Sequence, residues 1–150
     1  MREGTTMEYR KLGDTIYVRG DRGDELVSSI LDICRAENIL SATFSGIGGC
    51  QSAELQTFNP ETSSFATERI EGMLELVSYT GNVICDEAGE LHHHTHALFC
   101  YVEDGHHKSL GGHLKSTTVL YTAEIELRPV QGGSIGYRRD PETGTGFWAF

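Results

Sequence analysis

All seven histidines of this 150-residue chain fall in the 22 positions from His92 to His113. They occur as LHHHTHA (Leu91–Ala97), as the pair His106-His107 in DGHHKS, and as GGHL (Gly111–Leu114). In an extended strand, residues two apart share a face, so His94 and His96 project side by side while Thr95 and Ala97 point the other way. Such a pair is preset to offer two imidazoles to a metal of the zinc, nickel or iron type. His113, after a glycine-bearing loop that returns the chain, is the candidate third ligand. Three histidines leave coordination positions open for water or substrate, whereas structural zinc sites fill all four with Cys and His. The competing reading is a buried, hydrogen-bonded imidazole cluster. His92, His93, His106 and His107 read as solvated turn residues and stay outside the ligand set.

Metal chemistry on a carbonyl compound also needs a proton donor or acceptor nearby. Glu71, Glu75 and Glu124 are candidates because each lies in or beside a strand-like segment, and spacing alone does not choose among them. Gly46, Gly48 and Gly49 in SGIGGC lack the G-K-[ST] of a phosphate loop, so they read as a bulge or a tight turn where backbones approach closely. Gly111-Gly112 reads as a device that positions His113 through unusual backbone angles.

The elements that must hold these residues follow from periodicity. Leu26, Val27, Ile30, Leu31 and Cys34 fall at helical spacing, with Asp24 placed to cap the start and Asn38 to end it. Strands are expected at Thr15–Arg19, Ala42–Ile47, Ala53–Phe58, Phe65–Ile70, Leu74–Thr80, Asn82–Asp86, His94–Tyr101, Thr117–Leu127 and Ser134–Tyr137. The expected fold is α+β: a mostly antiparallel or mixed curled β-sheet with one main α-helix, and residues 1–150 as a single domain. Open strand edges in so small a sheet point to a symmetric oligomer, and the aromatic tail Gly146–Phe150 reads as core or as a subunit contact.

Charge narrows the partners. Lys and Arg total 12 against 22 Asp and Glu, a formal charge of −10. Between Ala36 and His107 the only Lys or Arg is Arg69, so this region offers no cationic track for a phosphate backbone. No apolar run approaches the ~20 residues of a bilayer-spanning helix, and the polar start MREGTTMEYR lacks a secretory core. Cys34, Cys50, Cys85 and Cys100 are widely spaced and read as separate thiols, which suits a cytoplasmic, reducing location.

Taken together, GDELVSSILDICRAENILSATFSGIGG, EGMLELVSYTGNV and HTHALFCYVEDGHHKSLGGHLKSTTVLYTAEIEL resemble the PPC ("plants and prokaryotes conserved") domain family. The resemblance runs from about Gly20 to Leu127 and is most specific at His94–Ala97, Asp104-Gly105, Gly111–Leu114 and Thr122–Leu127. It implies a free-standing prokaryotic-type member that assembles as a homotrimer, with His94, His96 and His113 meeting in a pocket around a transition metal, zinc in the first instance. The fold is also similar to that of alpha-acetolactate decarboxylase, whose three-histidine zinc site begins with an H-x-H pair. That likeness supports the metal and does not transfer the reaction. The expected role is small-molecule binding or a metal-assisted reaction on a carbonyl or carboxylate compound. Family members are commonly labelled DNA-binding because plant relatives join the domain to an AT-hook. This chain has no such segment, and Arg138-Arg139, its only adjacent Arg pair, reads as a solvated turn. A regulatory, DNA-associated oligomerisation module is the alternative reading.

Overall fold

Alternation of buried and exposed side chains, as in Ile16, Val18 and Gly20 against Tyr17, Arg19 and Asp21, recurs along most of the chain and builds one antiparallel sheet. The computed structural model describes residues 7–150, so the reading of the polar start falls partly on residues 1–6, outside the described residues. The elements are β1 (Glu8–Leu12), β2 (Thr15–Asp21), α1 (Leu26–Ala36), β3 (Ser41–Asn59), β4 (Ser64–Cys85), β5 (Leu91–Glu103), β6 (His106–Pro129), β7 (Gly136–Arg139) and β8 (Gly146–Ala149). With one 11-residue helix beside eight strands among the described residues, the molecule is more β-rich than an α+β description implies. No helix among the described residues is long and apolar enough to cross a membrane.

The sheet order is β1-β2-β6-β3-β4-β5, and β6 pairs with β5 as well, so four long strands close into a ring. This is the curled sheet expected from the sequence. The 24-residue β6 makes closure possible. Along one edge it pairs with β3 from His113 to Pro129. Along the other it meets β5 from His106 to His113 and β2 from Thr122 to Leu127. The gap between those two partners is filled by the chain entering α1. There Gly23 N–H donates to the Val119 carbonyl, and Val119 N–H to the Asp24 carbonyl, both at 2.9 Å. Both backbone groups of Val119, on the buried edge between β5 and β2, are thereby paired.

The cap of α1 belongs to Glu25 and not to Asp24. The Glu25 carboxylate accepts from the backbone N–H of Val27 (3.1 Å), Ser28 (2.7 Å) and Thr117 (3.0 Å), tying the helix start to β6. A longer carboxylate can reach both its own helix and the sheet, while Asp24 accepts from Asp21 N–H in the preceding turn. The helix ends at Glu37, and Asn38 follows with φ 55°, a left-handed angle that Asn tolerates. Leu26, Val27, Ile30, Ile33 and Cys34 are buried on the helix's inner face. Each large aliphatic removed from water in this way stabilises the fold by about 1.5–3 kcal/mol.

The strands are longer than turn signals suggest. Ala42–Ile47 and Ala53–Phe58 are parts of β3, and the three segments expected between Phe65 and Asp86 lie largely within β4. The glycines inside them bend the strands without ending them. Register shifts fall between Gly46 and Gly48 and between Cys50 and Ser52. A Cβ on Gly46 would stand 2.6 Å from the Glu124 carbonyl oxygen, and one on Gly48 2.6 Å from that of Thr122. Close approach of β3 to β6 therefore excludes a side chain at both positions. Ser134–Tyr137 is displaced to β7, which pairs with β8; β1 and β8 have no counterpart among the expected strands. Phe147, Trp148 and Phe150 of the tail are exposed, not core.

The four cysteines are all free. Burial pushes the Cys34 thiol up to about 12 and raises that of Cys50. At pH 8, a disulfide-exchange reagent should therefore modify at most Cys85 and Cys100 in the native protein and all four thiols after denaturation; rapid native modification of Cys34 would contradict this packing.

Candidate metal centre

In β5, Thr95, Ala97 and Phe99 are buried in the core, which turns His94 and His96 to the opposite face. In β6, Leu114 is buried and His113 faces outward beside them. The register pairs His96 directly with His113, and His113 also lies opposite Gln56 of β3. The third imidazole is therefore supplied at the position where β6 passes from β5 to β3 and is paired with both. Gly111-Gly112 is not a loop; it lies within β6. Gly112 has φ 159°, and a Cβ there would stand 2.8 Å from the Gln56 carbonyl oxygen, so backbone angle and close packing both call for glycine. On the other flank, a Cβ on Gly81 of β4 would overlap the His94 carbonyl oxygen. Small residues on both sides thus let the neighbouring strands lie close to the histidine-bearing backbone.

The structure brings His94, His96 and His113 together. Each offers a ring nitrogen, and these atoms all lie within 4.8 Å of one another. His96 Nε2 and His113 Nδ1 share a hydrogen bond of 3.2 Å, one ring donating and the other accepting according to tautomer. The His94 and His113 rings stack with centroids 5.2 Å apart. Phe65 meets His113 edge-on at 5.5 Å, an apolar wall on one side of the cluster. Burial, then the neighbouring His96, holds His94 below the ordinary imidazole range; burial, then His96 and His94, does the same for His113. Neutral imidazoles with converging nitrogens are the donor set a borderline-soft transition ion requires, so the residues present fit such an ion.

The other histidines divide differently from expectation. His92 and His93 belong to β5, not to a turn. His92 Nε2 lies 2.7 Å from Asp86 Oδ2, and its ring stacks on Tyr137 at 4.2 Å. His93 Nδ1 lies 2.9 Å from the Thr95 hydroxyl, and burial pulls its pKa down. His106 and His107 are exposed at the start of β6, just after the Asp104-Gly105 turn.

None of the three candidate carboxylates reaches the cluster. Glu71, Glu75 and Glu124 are exposed, and the cleft that holds His94 and His113 has no acidic residue in its lining among the described residues. That cleft is about 420 Å³ and is walled on one side by Tyr137 and Arg139 of β7. Sequence reasoning assigned no part in the site to Arg139 or to Lys115, which also lines it; only the two-residue spacing from His113 to Lys115 hinted at a shared face. A larger concavity of about 1260 Å³ lies over β1, β2, β6 and β3, where Glu124 sits. It contains none of the clustered histidines, and the converging donor set makes the smaller cleft the better candidate.

A family model for the Plants and Prokaryotes Conserved (PCC) domain matches residues 7–131, which includes all three clustered histidines. The chain belongs to that family. The PCC match begins upstream of Gly20, where the sequence resemblance starts, and takes in β1. Solved structures agree in fold. A plant- and prokaryote-conserved protein from Pyrococcus horikoshii is 28% identical with a TM-score of 0.78, covering 100% of this chain and 98% of its own. A metal-containing protein from Archaeoglobus fulgidus is 27% identical with a TM-score of 0.78, covering 97% and 99%. A putative DNA-binding protein from Bacteroides thetaiotaomicron is 24% identical with a TM-score of 0.86, covering 97% and 99%. No curated protein matches the chain.

The lowered pKa values have a definite sign. An unfolded histidine titrates near 6.5, so between that value and the lower folded one the unfolded chain holds more protons, and the metal-free fold loses stability as pH falls below about 6.5. An NMR titration should place His93, His94 and His113 midpoints below the ordinary 6.5. A midpoint above 6.5 for any of them would contradict the burial described here.

Proposed function

We propose that this PCC-domain protein holds one transition ion per subunit, zinc in the first instance, on His94, His96 and His113 and uses it on a small-molecule ligand. The observation that carries the reading is the convergence of three ring nitrogens within 4.8 Å from β5 and β6. The metal-containing relative from Archaeoglobus fulgidus supports it. An ion so held supplies Lewis acidity toward a carbonyl or carboxylate oxygen, or lowers the pKa of bound water. The chain's own contribution is to fix the imidazoles on paired strands and to shield one side with Phe65. Among the described residues that line the cleft there is no carboxylate, so in this reading proton transfer by a side chain falls to histidine, Tyr137 or Lys115 and not to Glu71, Glu75 or Glu124.

We further read residues 1–150 as one domain, working as a homotrimer in the cytoplasm. Exposed Ile47, Met73, Val77, Leu98 and Tyr121 lie on the long strands of the ring, and apolar surface of that kind is ordinarily covered by another copy of the chain. Four free thiols suit a reducing compartment. The second reading, a DNA-associated module, draws on the names of relatives such as the Bacteroides protein. It meets a chain with net charge −10, and duplex binding depends on cations that neutralise phosphates.

Elemental analysis of dialysed protein should find about one zinc per subunit, and His96→Ala should abolish it while leaving the circular dichroism spectrum unchanged. Full metal occupancy in that variant would overturn the ligand assignment. Native mass measurement should give about three times 16.5 kDa. In gel-shift experiments at low salt the protein should leave duplex DNA free; a salt-sensitive complex would move the DNA-associated reading to first place.

A further inference from the structure

The lining of the histidine cleft runs against the composition of the chain. Acids outnumber Lys and Arg 22 to 12, yet the described residues that line this cleft include Lys115 and Arg139 and neither Asp nor Glu; the carboxylates of Asp86 and Asp140 stand behind the lining, bonded to His92 and to Thr143. Two separate elements bring those cations in. Lys115 lies two residues beyond His113 on β6, beside the register shift where β6 pairs with β3 at Leu55 and Glu54. Arg139 lies two residues beyond Tyr137 on β7, so the two share a face, and Tyr137 is fixed by stacking on His92 at 4.2 Å.

Arg139 is also oriented. Its Nε donates to the Gly144 carbonyl at 3.1 Å, inside the turn that Asp140 organises by accepting from the Thr143 N–H and hydroxyl. That bond uses one donor of the guanidinium and leaves the terminal amino groups. Among the described residues the ion pairs of arginine are made by Arg19, Arg35, Arg69 and Arg128; neither Arg139 nor Lys115 is matched with a carboxylate. An acidic protein with two unmatched cations in the same cleft as converging imidazoles has the makings of a receptor for an anion. A guanidinium held at its Nε presents a planar pair of donors suited to a carboxylate. The cleft, about 420 Å³, is within the usual range for a small-molecule site.

We infer that the cleft binds a small organic carboxylate, with Lys115 and Arg139 taking the negative charge and the ligand's other oxygen directed toward the His94, His96 and His113 cluster. This deepens the metal reading and rests on it for the second anchor. Lys115 and Arg139 are binding residues in this scheme and are not needed to hold the ion.

The test uses the full chain with malonate and its uncharged analogue malonamide as probes, and cobalt in place of zinc. In cobalt-loaded protein, malonate should change the visible spectrum and malonamide should not. In metal-free protein, malonate should shift the NMR signal of the Arg139 Nε–H group. Arg139→Gln and Lys115→Gln should each weaken malonate binding at least about tenfold, while cobalt affinity changes less than about twofold. If cobalt binds but malonate acts no better than malonamide, or both variants bind malonate normally, the carboxylate inference is overturned and the metal reading stands. If cobalt fails to bind while malonate still shifts Arg139, the metal reading falls and the anion-binding cleft is supported without it. Failure of both probes overturns both.

Discussion

One edge of β6 has to serve three partners in succession: β5, the turn that opens α1, and β2. Hydrogen bonding leaves little freedom in how it does so, because an unpaired backbone group on a buried edge costs as much as a lost bond. The Glu25 carboxylate and the Gly23–Val119 bond fill the interval that neither strand reaches. Once that edge is satisfied, the register of β6 against β5 is set, and with it the pairing of His96 with His113. Because side chains alternate along a strand, a slip of one residue would turn His113 into the core and Leu114 out of it. The burial of Leu114 and the position of the metal candidate are therefore two results of one registration.

Much of this was legible because it is local. H-x-H on a strand guarantees two rings on one face wherever the strand lies, and the helical spacing from Leu26 to Cys34 dictates an inner face. His113 needed more, since its distance from His96 depends on ring closure; a glycine-bearing return of the chain suggested it, and the family resemblance added to that. The misses have equally physical causes. Gly72 and Gly81 look like turns in one dimension but lie inside a strand of 22 residues, whereas Gly46 and Gly48 make the bulge and close approach expected of them. Glu25 took the cap because its reach to Thr117, 92 positions away, is invisible to a rule about adjacent residues. His92 looked solvated because its partner Tyr137 belongs to a hairpin that packs from far along the chain.

Electrostatically, the protein separates its charges by place. Glu71, Glu75 and Glu124 are exposed, while among the described residues the Lys, Arg, Asp or Glu side chains that line the cleft beside the clustered imidazoles are Lys115 and Arg139. A net charge of −10 suits solubility, and on such a chain a cleft lined by two cations and no carboxylate is a favourable setting for a small anion. Net charge alone therefore says little about the ligand; the distribution around the histidines says more.

The family match ends at residue 131, and β7 begins at Gly136. The three clustered histidines thus lie inside the matched segment, while Tyr137 and Arg139, which wall the same cleft, lie beyond it, in a stretch that the solved Pyrococcus structure also covers. The two halves of the cleft are therefore fastened by different means. The strands that present the imidazoles are bound by the registration of a closed ring, whereas the hairpin is held from outside it, by the stack of Tyr137 on His92 and by the Ile135 N–H on the Ser41 hydroxyl. Loss of the stacked ring would release the outer wall of the cleft and leave the imidazoles in register.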